Sequence, residues 1–102
     1  MGGFKRVVVT GMGGISALGD DWATISDNFR NNRSGIRHMP EWDLYPDMNT
    51  RLGGPVLDFK VPAHWTRKQL RSMSKVSQFA VYAAERALAD AGPILQKAKE
   101  LV

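Results

Sequence analysis

The stretch Phe79-Ala-Val-Tyr-Ala-Ala84 restricts most sharply what this chain can fold into. It sits inside a longer segment, Thr66 to Ala91, in which Leu70, Met73, Ser77, Ala80, Ala84, Ala87 and Ala91 recur at helical spacing. Thr66 suits an N-cap, and Gly92 followed by Pro93 reads as a stop. The spacing therefore predicts one long helix over 66–91. Six consecutive apolar residues cover more than a turn, so at that level the helix has no polar face. A helix that is apolar all round must be buried, and 102 residues offer little with which to bury it. The chain is accordingly expected to be part of something larger. Its many small residues would also let another backbone approach the helix closely.

The rest of the chain divides into shorter pieces. Lys5 to Thr10 reads as a strand, because the consecutive β-branched Val7, Val8 and Val9 suit burial on both faces of a parallel sheet. Gly11, Gly13, Gly14 and Gly19 then mark a loop whose backbone turns sharply or passes close to something. Asp20 or Asp21 can cap a helix carrying the apolar stripe Trp22, Ile25 and Phe29, which Asn31, Asn32 and Gly35 end. Residues 38–65 are irregular: Pro40, Pro46, Pro55 and Pro62 exclude a long helix, and Gly53-Gly54 weakens any strand. An extended excursion is expected there, with a short strand near Thr50 to Leu52 or Val56 to Phe59. Trp42, Tyr45, Phe59 and Trp65 require it to pack against something. After Pro93, Ile94 to Val102 suits a last short amphipathic helix.

Composition removes several classes of chemistry. The chain has no cysteine, which excludes disulfides, thiolate-bound metal and a cysteine nucleophile within it. His38 and His64 are far apart and lack companions at ligand spacing, so no metal site is expected. No apolar run approaches the length of a membrane span, and the basic start has too short an apolar stretch for a secretory signal. A soluble, cytoplasmic chain is the expectation. The formal charge is only +4, but it is unevenly spread. No acidic residue occurs between Asp58 and Glu85, while Lys60, Arg67, Lys68, Arg71 and Lys75 all fall there. Such a stretch is either a solvated helix face or a surface that steers an acidic partner. Nucleic acid is not the expected partner, since there is no helix-turn-helix spacing, zinc ligand set or aromatic RNA-binding signature.

Two motifs invite chemistry and fall short. Gly11-Met-Gly-Gly-Ile-Ser16 after a strand suggests a dinucleotide loop, but Ser16 replaces the third glycine of the pattern. The following helix also starts too late to present its amides, and Asp20 and Asp21 would repel a phosphate. Ser16, Ser34, His38 and Asp43 contain the residue types of a hydrolytic triad, without the G-x-S-x-G elbow that would expose a serine.

The run Lys5-Arg-Val-Val-Val-Thr-Gly-Met-Gly-Gly-Ile-Ser-Ala-Leu-Gly19, then Trp22 and Arg33-Ser-Gly-Ile36, resembles the opening of the β-ketoacyl-acyl-carrier-protein synthases. Arg67-Lys-Gln-Leu-Arg-Ser-Met-Ser-Lys-Val-Ser-Gln-Phe-Ala80, with Ala83-Ala-Glu-Arg-Ala-Leu-Ala-Asp-Ala-Gly92, is similar to that family's next landmark, and the resemblance covers residues 4 to 92. Polyketide ketosynthases open similarly. The resemblance implies an α/β, thiolase-like fold of layered αβαβα type. This chain would supply its first strand, a capped helix, an irregular excursion and a long buried helix. Residues 1–92 would be the N-terminal part of that domain and 93–102 a divergent tail, since Pro93 and Gln96-Lys-Ala-Lys-Glu-Leu-Val102 depart from the family pattern. The implied activity is condensation of an acyl chain with malonyl-acyl-carrier protein in fatty acid elongation, by an obligate homodimer that needs no cofactor. Its cysteine and two histidines lie beyond this chain, so no catalytic residue is assigned here. The chain alone is expected to be inactive, whether as a fragment, a truncated product or a piece that only binds carrier protein. The resemblance also implies that Arg67, Lys68 and Arg71 dock acyl carrier protein, with Ser72 standing where the family is often basic.

Overall fold

Asp21 begins the first helix by satisfying amides that have no partner inside it. In the computed structural model, which describes residues 3–100, its carboxylate accepts from Thr24 N–H at 2.9 Å and from Thr24 Oγ1 at 2.8 Å. The helix it caps, α1, runs Trp22–Arg30 and closes on Asn31, with Asn32 at a φ of 54°. Of the two candidate caps, Asp21 is the one used. The stripe forms, but much of it faces outward: Trp22 is 72% exposed and Phe29 60%.

The excursion holds the only β-pairing between named strands among the described residues. β1 (Arg37–His38) pairs antiparallel with β2 (Leu52–Gly53), in the register Arg37 to Gly53 and His38 to Leu52. A 3₁₀ turn, Pro40–Leu44, lies between them. The Trp42 ring rests on Gly53, where an added Cβ would come within 2.8 Å of it. The expected strand at Thr50 to Leu52 is therefore present one residue further on, and Val56 to Phe59 forms none. Phe59 then fixes the excursion to the last helix, meeting Phe79 edge-on at 5.0 Å and Tyr82 at 5.4 Å.

Four expectations need correction. The helix over 66–91 is two helices, α2 (Arg67–Arg71) and α3 (Lys75–Glu100). Ser72 Oγ donates to Gln69 O at 2.8 Å as α2 ends, and Ser74 Oγ accepts from Ser77 N–H at 3.3 Å as α3 begins. Serines that bond locally to the backbone compete with the helix at this point. The expected stop at Gly92-Pro93 is also absent, because Gly92 does not take the positive φ of a helix-ending glycine and α3 continues through Pro93. The separate helix expected from Ile94 is simply the continuation of α3, and the last two residues of that expectation lie outside the described residues. Finally, Lys5 to Thr10 pairs with no strand among the described residues, and Val7, Val8 and Val9 are 92%, 70% and 79% exposed. A strand buried on both faces needs neighbours and two covering layers, and this chain supplies only part of them.

The glycine loop explains the small residues of α3. A Cβ at Gly11 would lie 2.6 Å from Ala91 N, and one at Gly13 would lie 2.6 Å from Ala87 N. The loop backbone thus lies directly on the Ala83, Ala87 and Ala91 face, and Ala91 is buried. Met12 N–H donates to Asp90 at 2.9 Å, and Tyr82 OH donates to Asp20, so the loop is held at both ends. The long helix is nevertheless not buried on its other side. Val76 is 77% exposed and Leu88 62%.

Candidate functional site

α2 is short but well specified. Thr66 Oγ1 accepts from Gln69 N–H at 3.1 Å, while Thr66 N–H donates to Gln69 Oε1 at 2.9 Å, a reciprocal capping box. Arg67, Lys68 and Arg71 project from it and all three are exposed, as are Lys60 before it and Lys75 after it. Among the described residues none of these five cations forms an ion pair. The structure thus presents the acid-free stretch as an open basic surface. Its placement has a partial structural reason that one continuous helix would hide. Because α2 ends at Arg71, Lys68 and Arg71 lie in its last turn, where the helix dipole favours cations. Lys75 opens α3, where the dipole does not favour a cation, and its ammonium lies over the Phe59 ring at 5.8 Å.

The residues with the chemistry of hydrolysis are otherwise engaged. Ser16 closes a turn on Gly19, its N–H donating to Gly19 O at 3.0 Å, and its hydroxyl accepts from Leu18 N–H. Ser34 Oγ accepts from Ile36 N–H. His38 of β1 does meet Asp43 of the 3₁₀ turn, at 2.9 Å, but the pair is exposed and Arg51 lies 3.1 Å from the same carboxylate. The His38 contact holds the Asp43 carboxyl below its ordinary range against a desolvation penalty, with Arg51 adding to the lowering. This cluster ties Pro40–Leu44 to Arg51, which also donates to Trp42 O at 3.1 Å. Nor do the glycines cradle a phosphate. At Gly11 and Gly13 the backbone is pressed on α3, and α1 begins only at Trp22.

A cluster that sequence reasoning did not single out lies beside the basic surface. Glu85 of α3 accepts from Trp65 Nε1–H at 3.0 Å and sits 2.9 Å from His64 Nε2. The available signal was the acidic residue that ends the acid-free stretch. No group of three or more potential metal ligands occurs among the described residues, and no helix there is long and apolar enough to cross a membrane.

Comparison with known proteins shows the family. The family model "Beta-ketoacyl synthase, N-terminal domain" matches residues 4–100. The 3-oxoacyl-[acyl-carrier-protein] synthase 2 of Staphylococcus aureus (strain COL) is 36% identical over 87 residues, which cover 85% of this chain and 21% of that protein. The protein of the same name from Synechocystis sp. is 33% identical over 93 residues, covering 91% of this chain and 22% of its length. A solved β-ketoacyl synthase from Burkholderia phymatum STM815 superposes with a TM-score of 0.80 at 50% identity, over 87% of this chain and 22% of that one. The chain thus spans about a fifth of the length of the relatives it matches. The match runs from the unpaired N-terminal segment through the glycine loop, the excursion and α3, so this chain belongs to the β-ketoacyl synthase N-terminal domain family.

Proposed function

We propose that this chain is the N-terminal segment of a 3-oxoacyl-acyl-carrier-protein synthase, which condenses an acyl chain with malonyl-acyl-carrier protein. The observation that carries the reading is the family match over residues 4–100, joined to a structure whose apolar faces stand open for further layers. In that reading the exposed Val7 to Val9 run enters a sheet of a layered, thiolase-like fold, and the enzyme is a soluble homodimer. The nucleophile comes from elsewhere in the enzyme, since this chain has no cysteine. Its own contribution is the basic surface. Arg67, Lys68 and Arg71 receive acyl carrier protein, an acidic partner, by steering its approach and pairing with it.

The test is charge reversal at Lys68 and Arg71 in the complete enzyme. K68E/R71E is expected to keep the fold and to lower the association rate with carrier protein by roughly tenfold at low salt. That loss shrinks as salt shortens the screening length to about 8 Å at physiological ionic strength. A small acyl thioester without carrier protein is used as well as before. Equal loss on both substrates, or no loss at low salt, overturns the docking role.

A further inference from the structure

The basic helix is held in place by its ends. α2 has five residues and no extensive packing against another named element among the described residues. At its C-terminal end the Ser72–Ser74 turn connects it to α3, with a serine bonding locally at each of the two helix ends. Its N-terminal end follows directly on His64 and Trp65. Trp65 is 7% exposed and one of only two buried apolar residues in the described chain. Both residues converge on one carboxylate: Glu85 accepts from the Trp65 indole N–H at 3.0 Å and meets His64 Nε2 at 2.9 Å. Glu85 stands ten residues into α3 from Lys75, roughly 15 Å along its axis. Two well-separated points on α3 therefore fix the helix between them.

Resting on the docking role of Arg67, Lys68 and Arg71, we infer that Glu85 is a positioning residue for carrier-protein binding. Its carboxylate clamps His64 and Trp65 and so fixes the direction in which α2 presents its cations. The indole supplies both the buried anchor and the donor that orients it. His64 occupies the second carboxylate oxygen and prevents the side chain from turning away. A docking surface pre-set in this way spares the partner the cost of ordering it. Without the clamp, α2 pivots on Ser72–Ser74 and the three charges spread over many directions, although none of them has been removed.

The experiment uses the complete enzyme with E85A, E85Q and K68E/R71E, and W65F as a milder variant. Hydrogen exchange over residues 66–72 reads the clamp, and KM for carrier-protein substrates against a small thioester reads its use. E85A is expected to speed exchange in that segment and raise KM for carrier-protein substrates roughly threefold or more, leaving kcat and the small thioester unchanged. The amide introduced by E85Q can accept from the indole through its oxygen and donate to an imidazole nitrogen through its NH2, so E85Q restores both readouts. W65F keeps the ring and loses the donor, and shifts both readouts in the same direction; it decides the matter should E85A fail to fold. Unchanged exchange and KM in E85A, or in W65F where E85A does not fold, overturn the inference. So does an E85Q enzyme as impaired as E85A. If K68E/R71E weakens carrier-protein use and E85A does not, the docking role stands and the clamp falls. If E85A speeds exchange while K68E/R71E is neutral, the clamp holds a helix that does not dock the partner, and the docking role is what fails.

Discussion

Asp43 shows how much one exposed carboxylate can organise when three elements meet at it. His38 comes from β1, Asp43 from the 3₁₀ turn and Arg51 from the approach to β2, so the cluster joins both sides of the excursion. Its pKa lies below the ordinary value, chiefly through the His38 contact. A carboxyl whose folded pKa is depressed adds stability above its unfolded pKa, near 3.9, and loses it as pH falls through the folded value. D43N is therefore expected to melt below the unsubstituted protein around neutral pH, and the gap should close as pH falls through the depressed pKa of the folded carboxyl. Thermal melts of the two complete proteins across that range check it; a gap independent of pH would show that the ionised form is not what matters. Caps are where single residues were legible in advance. Thr66 and Asp21 carry the side chains that free amides require, and the structure uses both. Glu85 was not legible, because what makes it matter is an indole and an imidazole about twenty residues earlier that only the fold brings together.

At the scale of elements, the glycine loop lies on α3 too closely to admit a side chain at Gly11 or Gly13. Both partners are backbone: a Cβ at Gly13 would meet Ala87 N at 2.6 Å, and one at Gly11 would meet Ala91 N at 2.6 Å. Neither neighbour can rotate aside as a side chain would. G11A and G13A are each expected to cost about 1–3 kcal/mol in the complete protein, read as a lower denaturant midpoint with an unchanged slope. A midpoint equal to that of the unsubstituted protein would mean that the loop is free to lift from the helix. Each feature was legible by itself, the glycines as a loop passing close to something and the small residues as a helix face open to another backbone, but that the two meet was not. The break at Ser72–Ser74 was hidden for the opposite reason. Leu70, Met73 and Ser77 keep helical spacing across it, and spacing is blind to serines that cap. At Pro93 punctuation misled: proline removes one donor, but its fixed φ suits a helix, and with Gly92 not left-handed α3 continues.

The whole molecule is far from the shape of a self-sufficient domain of its size. Its Cα radius of gyration is 18.7 Å, where about 13 Å is usual for 100 residues. Its accessible surface is 8794 Å², against roughly 5,700 Å² for a compact monomer of 11.3 kDa. The excess of roughly 3,000 Å² is the scale of surface that further layers would cover, larger than a standard protein–protein interface. Much of it is apolar: Phe4 is 98% exposed, Val7 92% and Val76 77%. The need for cover was legible in the apolar turn at Phe79 to Ala84. Where the exposed area would lie was not, because it depends on which face the glycine loop and Phe59 occupy. These quantities set the behaviour of the 102 residues alone. Trp65 and Ala91 are the only buried apolar residues described, and so small a core does not offset the entropy of ordering about a hundred residues. The isolated segment is therefore expected either to lack a cooperative melt or to self-associate through its open faces. Sedimentation velocity with calorimetry checks this over a range of concentrations. A monomer with one sharp, concentration-independent transition would show that the segment covers its own apolar surface in a conformation other than this one. Broad melting as a monomer, or sharp melting only in an oligomer, is what the exposed valines and the open side of α3 require.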